Sequence, residues 1–209
     1  MLDVHTRPKS KALFDRLRDH ILEGRYFPGQ WLKQAELEAA YGATRSDVRA
    51  ALSSLSERGV VEYVKNQGFR VFSRSDEEIA EITEMIAILE RAAVPKIIAN
   101  ITDEGIDELE ELARTFHELI TSGSHADLRL ANYHIHNRLN SFCGSKLLMQ
   151  TVQHLRECCI SGPFERYSTF AGLTESSREH FAILKALRDR DGAEFERLIG
   201  EHSTQSLTR

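Results

Sequence analysis

The chain has 209 residues, 41% of them hydrophobic and 28% charged, with a formal net charge of −5 at pH 7. No apolar run approaches the ~20 residues that span a membrane, the N-terminus lacks a signal-peptide core, and three cysteines, two of them adjacent, suggest neither a disulfide framework nor a Cys-x-x-Cys metal site. These features predict a cytoplasmic protein with reduced thiols. The charge is divided unevenly. Residues 1–74 hold 13 Lys and Arg against 9 Asp and Glu, a net of +4, and the remainder holds 14 against 23, a net of −9. A basic head on an acidic body is what a nucleic-acid-binding domain joined to a second domain would show.

Met1 to Lys9 is polar and reads as a flexible arm. From Ser10 to Glu23, Leu13, Leu17 and Ile21 recur at helical spacing, and Gly24 follows as a C-cap. Leu32 to Tyr41 is a second short amphipathic segment, with Leu37 and Ala40 available for a core, and Tyr41-Gly42-Ala43 is a sharp turn. Residues 44 to 58 are the most informative stretch. Val48, Ala51, Leu52 and Leu55 form a narrow apolar stripe, Arg45, Ser46, Arg49 and Ser53 fall opposite, and Thr44 with Asp47 is a variant capping box. Two short helices across a tight turn have helix-turn-helix layout. The cationic start of the second is suited to the DNA major groove, where arginine donates two bonds to guanine and small hydroxyls bond phosphates. Val60 to Val64 and Phe69 to Phe72 are β-prone runs joined by Lys65-Asn66-Gln67-Gly68, which is hairpin chemistry. Three helices and a hairpin make a winged helix-turn-helix over residues 1–74. The competing reading is a small α+β domain whose arginines are merely solvated.

Residues 75–209 contain almost no strand signal and read as an antiparallel bundle of about six helices, so the fold class is mainly α. Ser75-Asp76-Glu77-Glu78 is a capping box followed by Ile79, Ile82, Ile86, Leu89 and Ala93 at helical spacing. Pro95 is expected to kink or divide that helix near its end. Thr102 opens the next helix, and further helices are expected over Ser124 to Phe142, Ser145 to Ile160, Thr174 to Arg190 and Ala193 to Ser206. Gly123, Gly144, Ser161-Gly162-Pro163 and Asp191-Gly192 separate them. Trp31 and the ten phenylalanines are expected in cores rather than as base-stacking platforms. Apolar helix faces beyond the needs of one bundle suggest a homodimer, which would bind a short pseudo-palindrome.

Histidines carry whatever chemistry this half holds. Asn132 and His136 are four apart and share one helix face; His180 and His202 fall in the last two helices. Three imidazoles and one side-chain oxygen could converge in a bundle as ligands of a divalent metal, and nitrogen-rich ligation suits Zn, Ni or Fe. Spacing alone leaves two other readings open: surface histidines, or a polar internal network.

The winged half resembles the GntR family of bacterial transcription regulators. The resemblance runs through Gly24-Arg25, Pro28-Gly29, Leu32, Glu36-Leu37, Tyr41-Gly42-Ala43, Thr44 to Leu52, Leu55, Gly59-Val60-Val61 and Gly68. It implies that Arg45 and Arg49 contact an operator, with Thr44 and Ser46 on the backbone and the Gly68 wing tip near the minor groove. The chain departs from the family at Asp47, where proline is common, and at Ala50, where glutamate is common. The helical half resembles the effector (FCD-type) domain of the FadR-like branch, whose Asp-x-x-x-His, Glu-His and late His positions fall on Asn132 to His136, Glu179-His180 and His202. That resemblance implies a metal facing an effector cavity and a small organic acid or related metabolite as effector. Asn132 replaces the usual aspartate. Ile86 stands where an effector-pairing arginine is common, which leaves Arg91 or Arg129 as candidate cations. Together these imply a ligand-responsive DNA-binding transcription regulator, expected to act as a repressor, that is not an enzyme. A metal-dependent enzyme with a histidine-rich bundle site is the alternative, but no Gly-x-Ser-x-Gly, P-loop, His-Glu-x-x-His or dinucleotide glycine motif supports it. A DNA-architectural protein would leave the helical half unexplained.

Overall fold

The computed structural model describes residues 8–159 and 169–205. The Ser161-Gly162-Pro163 turn and most of the N-terminal arm lie outside them. The chain divides into two compact units between Arg74 and Ser75.

The first unit contains α1 (Pro8–Leu22), β1 (Trp31–Leu32), α2 (Gln34–Tyr41), α3 (Arg45–Glu57), β2 (Val61–Val64) and β3 (Gly68–Val71). Three helices and a hairpin were expected, and they form. Gly24, at φ 73°, ends α1 by donating its N–H to the Ile21 carbonyl, while Arg25 N–H reaches back to His20. This left-handed stop is one that a Cβ would oppose. Thr44 caps α3 by accepting from the Asp47 N–H. Val48, Ala51, Leu52 and Leu55 are buried against Leu13, Leu17, Ile21 and the strand residues Val61, Phe69 and Val71. Each fully buried aliphatic side chain contributes roughly 1.5–3 kcal/mol relative to exposure.

Two local expectations are corrected. Leu32 does not begin a helix: Trp31–Leu32 pairs antiparallel with β3, giving the sheet order β1-β3-β2, and the helix starts after the extended Lys33. Ala40 is exposed rather than in the core, and α2 is anchored by the buried Leu37 with Tyr41 packed against the same core. Trp31 is likewise a surface residue, 37% exposed with the Arg70 guanidinium over its ring, and Phe27 and Phe170 are exposed too.

The second unit contains α4 (Asp76–Asn100), α5 (Asp103–Ser122), α6 (His125–Ser141), α7 (Lys146–Cys159), α8 (Phe170–Arg188) and α9 (Gly192–Gln205), six helices among the described residues. Both halves of the Ser75–Glu78 capping box form, and Ser124 with Asp127 repeats the device at α6. Helix α4 packs on α7 and α9, and α5 packs on α6 and α8. Ala93, Val94, Ile97, Leu109, Phe116, Leu139, Leu187 and Phe195 belong to the common core. Pro95 does not divide α4, which continues to Asn100. The missing N–H costs one bond, but Val94 and Ile97 on either side are buried and hold the last turn in place. Cys143 and Cys158 are buried thiols; Cys159 is only partly so.

Candidate DNA interface and metal centre

The amphipathic design of α3 fixes where its polar side chains go. With Val48, Ala51, Leu52 and Leu55 buried, Thr44, Arg45, Ser46 and Arg49 are left exposed. Arg45 and Arg49 are one helical turn apart, and among the described residues no carboxylate is within ion-pair distance of either. Thr44 and Ser46 are differently placed. The Thr44 hydroxyl donates to Asp47 Oδ2 at 2.6 Å and lies 2.9 Å from the Ser46 hydroxyl, which must therefore donate to it. The Thr44 proton is thus held by Asp47 and the Ser46 proton by Thr44, so Asp47 anchors this hydroxyl pair. The wing is a tight hairpin: Asn66 at φ 65° and Gly68 at φ 108° take left-handed backbone, and Gln67 N–H bonds the Val64 carbonyl.

In the helical unit, α6, α8 and α9 bring His136, His180 and His202 together, with one ligand atom from each within 4.8 Å of the others. All three are buried. His136 Nε2 and His202 Nε2 are 3.2 Å apart, a separation that two bonds of ~2.0–2.1 Å from one ion can span. The His202 Nδ1 bonds Glu179 Oε2 at 2.7 Å. His180 packs edge-on to Phe116, His136 and His202, and neither of its buried ring nitrogens has a hydrogen-bond partner. Asn132 sits one turn before His136, and its buried Oδ1 is also without a partner. Buried polar atoms are nearly always satisfied, so an imidazole with two orphaned nitrogens beside two others fits a metal ion. Burial first, then the Arg156 charge and the neighbouring imidazoles, hold His136 well below the ordinary histidine pKa; burial, His202 and Arg156 do the same to His180. Both are therefore neutral near pH 7, the state in which imidazole ligates.

Further buried polar side chains contact the triad through His136. Glu90, 2% exposed, accepts from Arg156 Nη2 at 2.6 Å, Arg156 Nε at 3.1 Å, Asn140 Nδ2 at 2.9 Å and Ser203 Oγ at 2.7 Å. Burial opposes its charge, but Arg156 with the bonds from Asn140 and Ser203 prevails and holds the carboxyl below its usual pKa. Arg156 Nη2 also bonds His136 Nδ1 at 2.8 Å. No motif or helical period in the sequence points to Arg156 or Asn140 as residues of this site. Glu90 carried a usable signal, because a glutamate one turn after Ile86 on a buried helix face requires a partner. Of the two cations suggested instead, Arg91 is exposed and lies against Gly200 of α9, and Arg129 is half-buried on α6 with burial lowering its pKa.

Comparison with known proteins follows the same division. Residues 9–71 match the family of bacterial regulatory proteins named gntR, and residues 81–205 match the FCD domain. An uncharacterized HTH-type transcriptional regulator of Bacillus subtilis, YdhC, is 23% identical over 185 residues, covering 88% of this chain and 83% of the relative. The HTH-type transcriptional repressor RspR of Escherichia coli is 23% identical over 200 residues, covering 94% and 86%. In fold, the chain is similar to E. coli McbR/YncC, with a TM-score of 0.88 at 20% identity and 97% of both chains covered. No helix among the described residues is long and apolar enough to cross a membrane.

Proposed function

The chain belongs to the GntR family of bacterial regulators and carries an FCD domain, and from that premise we propose that it is a dimeric repressor whose operator affinity is set by a metabolite bound at a metal centre of the helical unit. That it is a ligand-responsive, DNA-binding transcription regulator is the family's function. The finer reading is supported chiefly by the solvent-facing Arg45 and Arg49 pair, held by a buried stripe with no carboxylate among the described residues competing for either guanidinium. On this reading Arg45 and Arg49 read base edges, Thr44 and Ser46 bond phosphates, and the Gly68 hairpin follows the backbone into the adjacent groove.

His136, His180 and His202 would hold the metal, with Asn132 as a neutral oxygen donor. Nitrogen-rich ligation favours Zn, Ni or Fe. When bound, such an ion supplies a Lewis-acidic centre to which a small carboxylate effector can coordinate. The protein residues orient it: Glu179 fixes the His202 ring by accepting its Nδ1 proton, the usual arrangement for a ligating histidine. Effector binding and operator binding are then linked free energies, and each ligand shifts the affinity of the other by the same factor. RspR is named a repressor, which supports release from DNA as the response. We further infer that the division at Arg74 separates the two activities.

The test is selection of binding sites from a random duplex pool by the full-length protein, repeated with Arg45→Ala and Arg49→Ala. A two-fold symmetric consensus that both variants fail to enrich is expected. Enrichment of the same consensus by both variants would remove α3 as the reading element.

A further inference from the structure

Resting on the metal-site reading, we propose that Arg156 gates the histidine triad: its guanidinium holds His136 in the tautomer that cannot ligate, so metal entry requires Arg156 to withdraw and Glu90 to take over as the partner of His136 Nδ1. The argument begins with donors and acceptors. A guanidinium has only N–H donors, so in the 2.8 Å contact His136 Nδ1 must be the acceptor. Neutral imidazole has one proton, which then sits on Nε2. That proton points at His202 Nε2, 3.2 Å away, and His202 can accept it because its own proton, on Nδ1, is given to Glu179. From Arg156 through His136 and His202 to Glu179, every contact pairs one donor with one acceptor. The chain is internally satisfied, and it leaves His136 without a lone pair facing the triad.

Metal ligation by His136 Nε2 requires the opposite tautomer, with the proton on Nδ1. With Arg156 in place, that proton would face a guanidinium N–H, and the guanidinium charge would oppose an arriving divalent cation. The alternative acceptor is already present, since Glu90 Oε1 is 3.7 Å from His136 Nδ1 with Arg156 bonded to the same oxygen. Withdrawal of Arg156 exchanges a repelling cation for a carboxylate that can accept the Nδ1 proton, the partner a ligating histidine ordinarily has. Arg156 has a path to do so, because its side chain retains 15% exposure whereas Glu90 retains 2%. His202 needs no such change, for its proton is already on Nδ1. Arg156 is thus a positioning residue that acts through His136.

Two measurements on the full-length protein test the gate. Zinc affinity is read by chelator competition in wild type, in Arg156→Met, and in Arg156→Met combined with Glu90→Gln, which leaves no buried charge unpaired. Both variants are expected to bind zinc tighter than wild type: Arg156→Met at least about tenfold, the equivalent of one relieved donor conflict, and the double variant by less, because a neutral amide oxygen accepts the His136 Nδ1 proton more weakly than the Glu90 carboxylate. Equal or weaker affinity in a folded variant overturns the gate alone, and absence of zinc binding in all three proteins overturns the metal site with it. Independently, imidazole 15N spectra, with His136 identified through His136→Gln, report the tautomer. The Nε2–H form is expected without metal and the Nδ1–H form with zinc; an Nδ1–H form in the metal-free protein overturns the proposal.

Discussion

Arg45 and Arg49 project from one helix face, and among the described residues neither is ion-paired with an acid, so on the proposed function each has its full set of donors available for a base edge. Removing either guanidinium by Arg45→Ala or Arg49→Ala should cost about 1–3 kcal/mol of specific operator affinity, measured by fluorescence anisotropy on the selected site. Loss of the same size on unrelated DNA would mean the pair contacts phosphate only. Asp47 works in the other direction. It holds the Thr44 proton at 2.6 Å and places a negative charge in the first turn of α3. Asp47→Ala should therefore tighten DNA binding by about 1 kcal/mol, one recovered hydrogen bond, despite weakening the helix start. Weaker binding by Asp47→Ala would show that Asp47 acts only by ordering the cap. The exposed polar face of α3 was legible in the sequence because Arg45, Ser46 and Arg49 lie within a single helix, where spacing alone determines which side chains share a face. The triad's surroundings were not. Arg156 meets Glu90 across 66 residues, and Ser203 meets it across 113; no local period relates such positions.

Helix α4 contains the clearest conflict between local and tertiary preference. Pro95 lies inside it, exposed, while Ala93, Val94 and Ile97 are buried. Local chemistry predicts a kink or a division there, and with the flanking residues buried the helix is not divided. Pro95→Ala restores a backbone donor and removes ring strain, and should raise the stability of the helical unit by up to ~3 kcal/mol, read from urea midpoints. A lowered midpoint would mean that the backbone geometry set by Pro95 is required for packing against α7 and α9. Gly105, near the start of α5, is constrained by space instead. A Cβ there would sit 2.6 Å from the Phe142 ring, so Gly105→Ala should destabilise the unit by about 1–3 kcal/mol through overpacking. Elements with strong periods and caps, such as α3 and α4, were legible with their starts correct at Thr44 and Ser75. The two-residue strand β1 was not, because Trp31 and Leu32 become a strand only by pairing with Arg70 and Phe69, a contact that no window around Trp31 contains.

At the scale of the molecule, the division of charge and the division of cores coincide. The basic first 74 residues enclose one apolar cluster and the acidic remainder another. If the two units fold independently, ligands of one should leave the other's unfolding unchanged. A metal that binds only the folded triad stabilises it by RT ln(1 + [L]/Kd), about 2.7 kcal/mol when free metal is a hundred times Kd. Calorimetry in zinc and then in chelator should accordingly show two transitions, of which only one moves. Leu52→Ala identifies the stationary one, because Leu52 is fully buried in the winged unit and its truncation should cost about 2–5 kcal/mol there alone. In His136→Ala, His180→Ala or His202→Ala the zinc-dependent shift should disappear while both transitions persist. A shift that survives all three places the metal elsewhere. Joint movement of both transitions in wild type would instead mean that the units share one cooperative folding reaction. In that case metal binding would be linked to the stability of the DNA-binding unit as well, and the effect of metal on operator affinity could not be separated from its effect on folding.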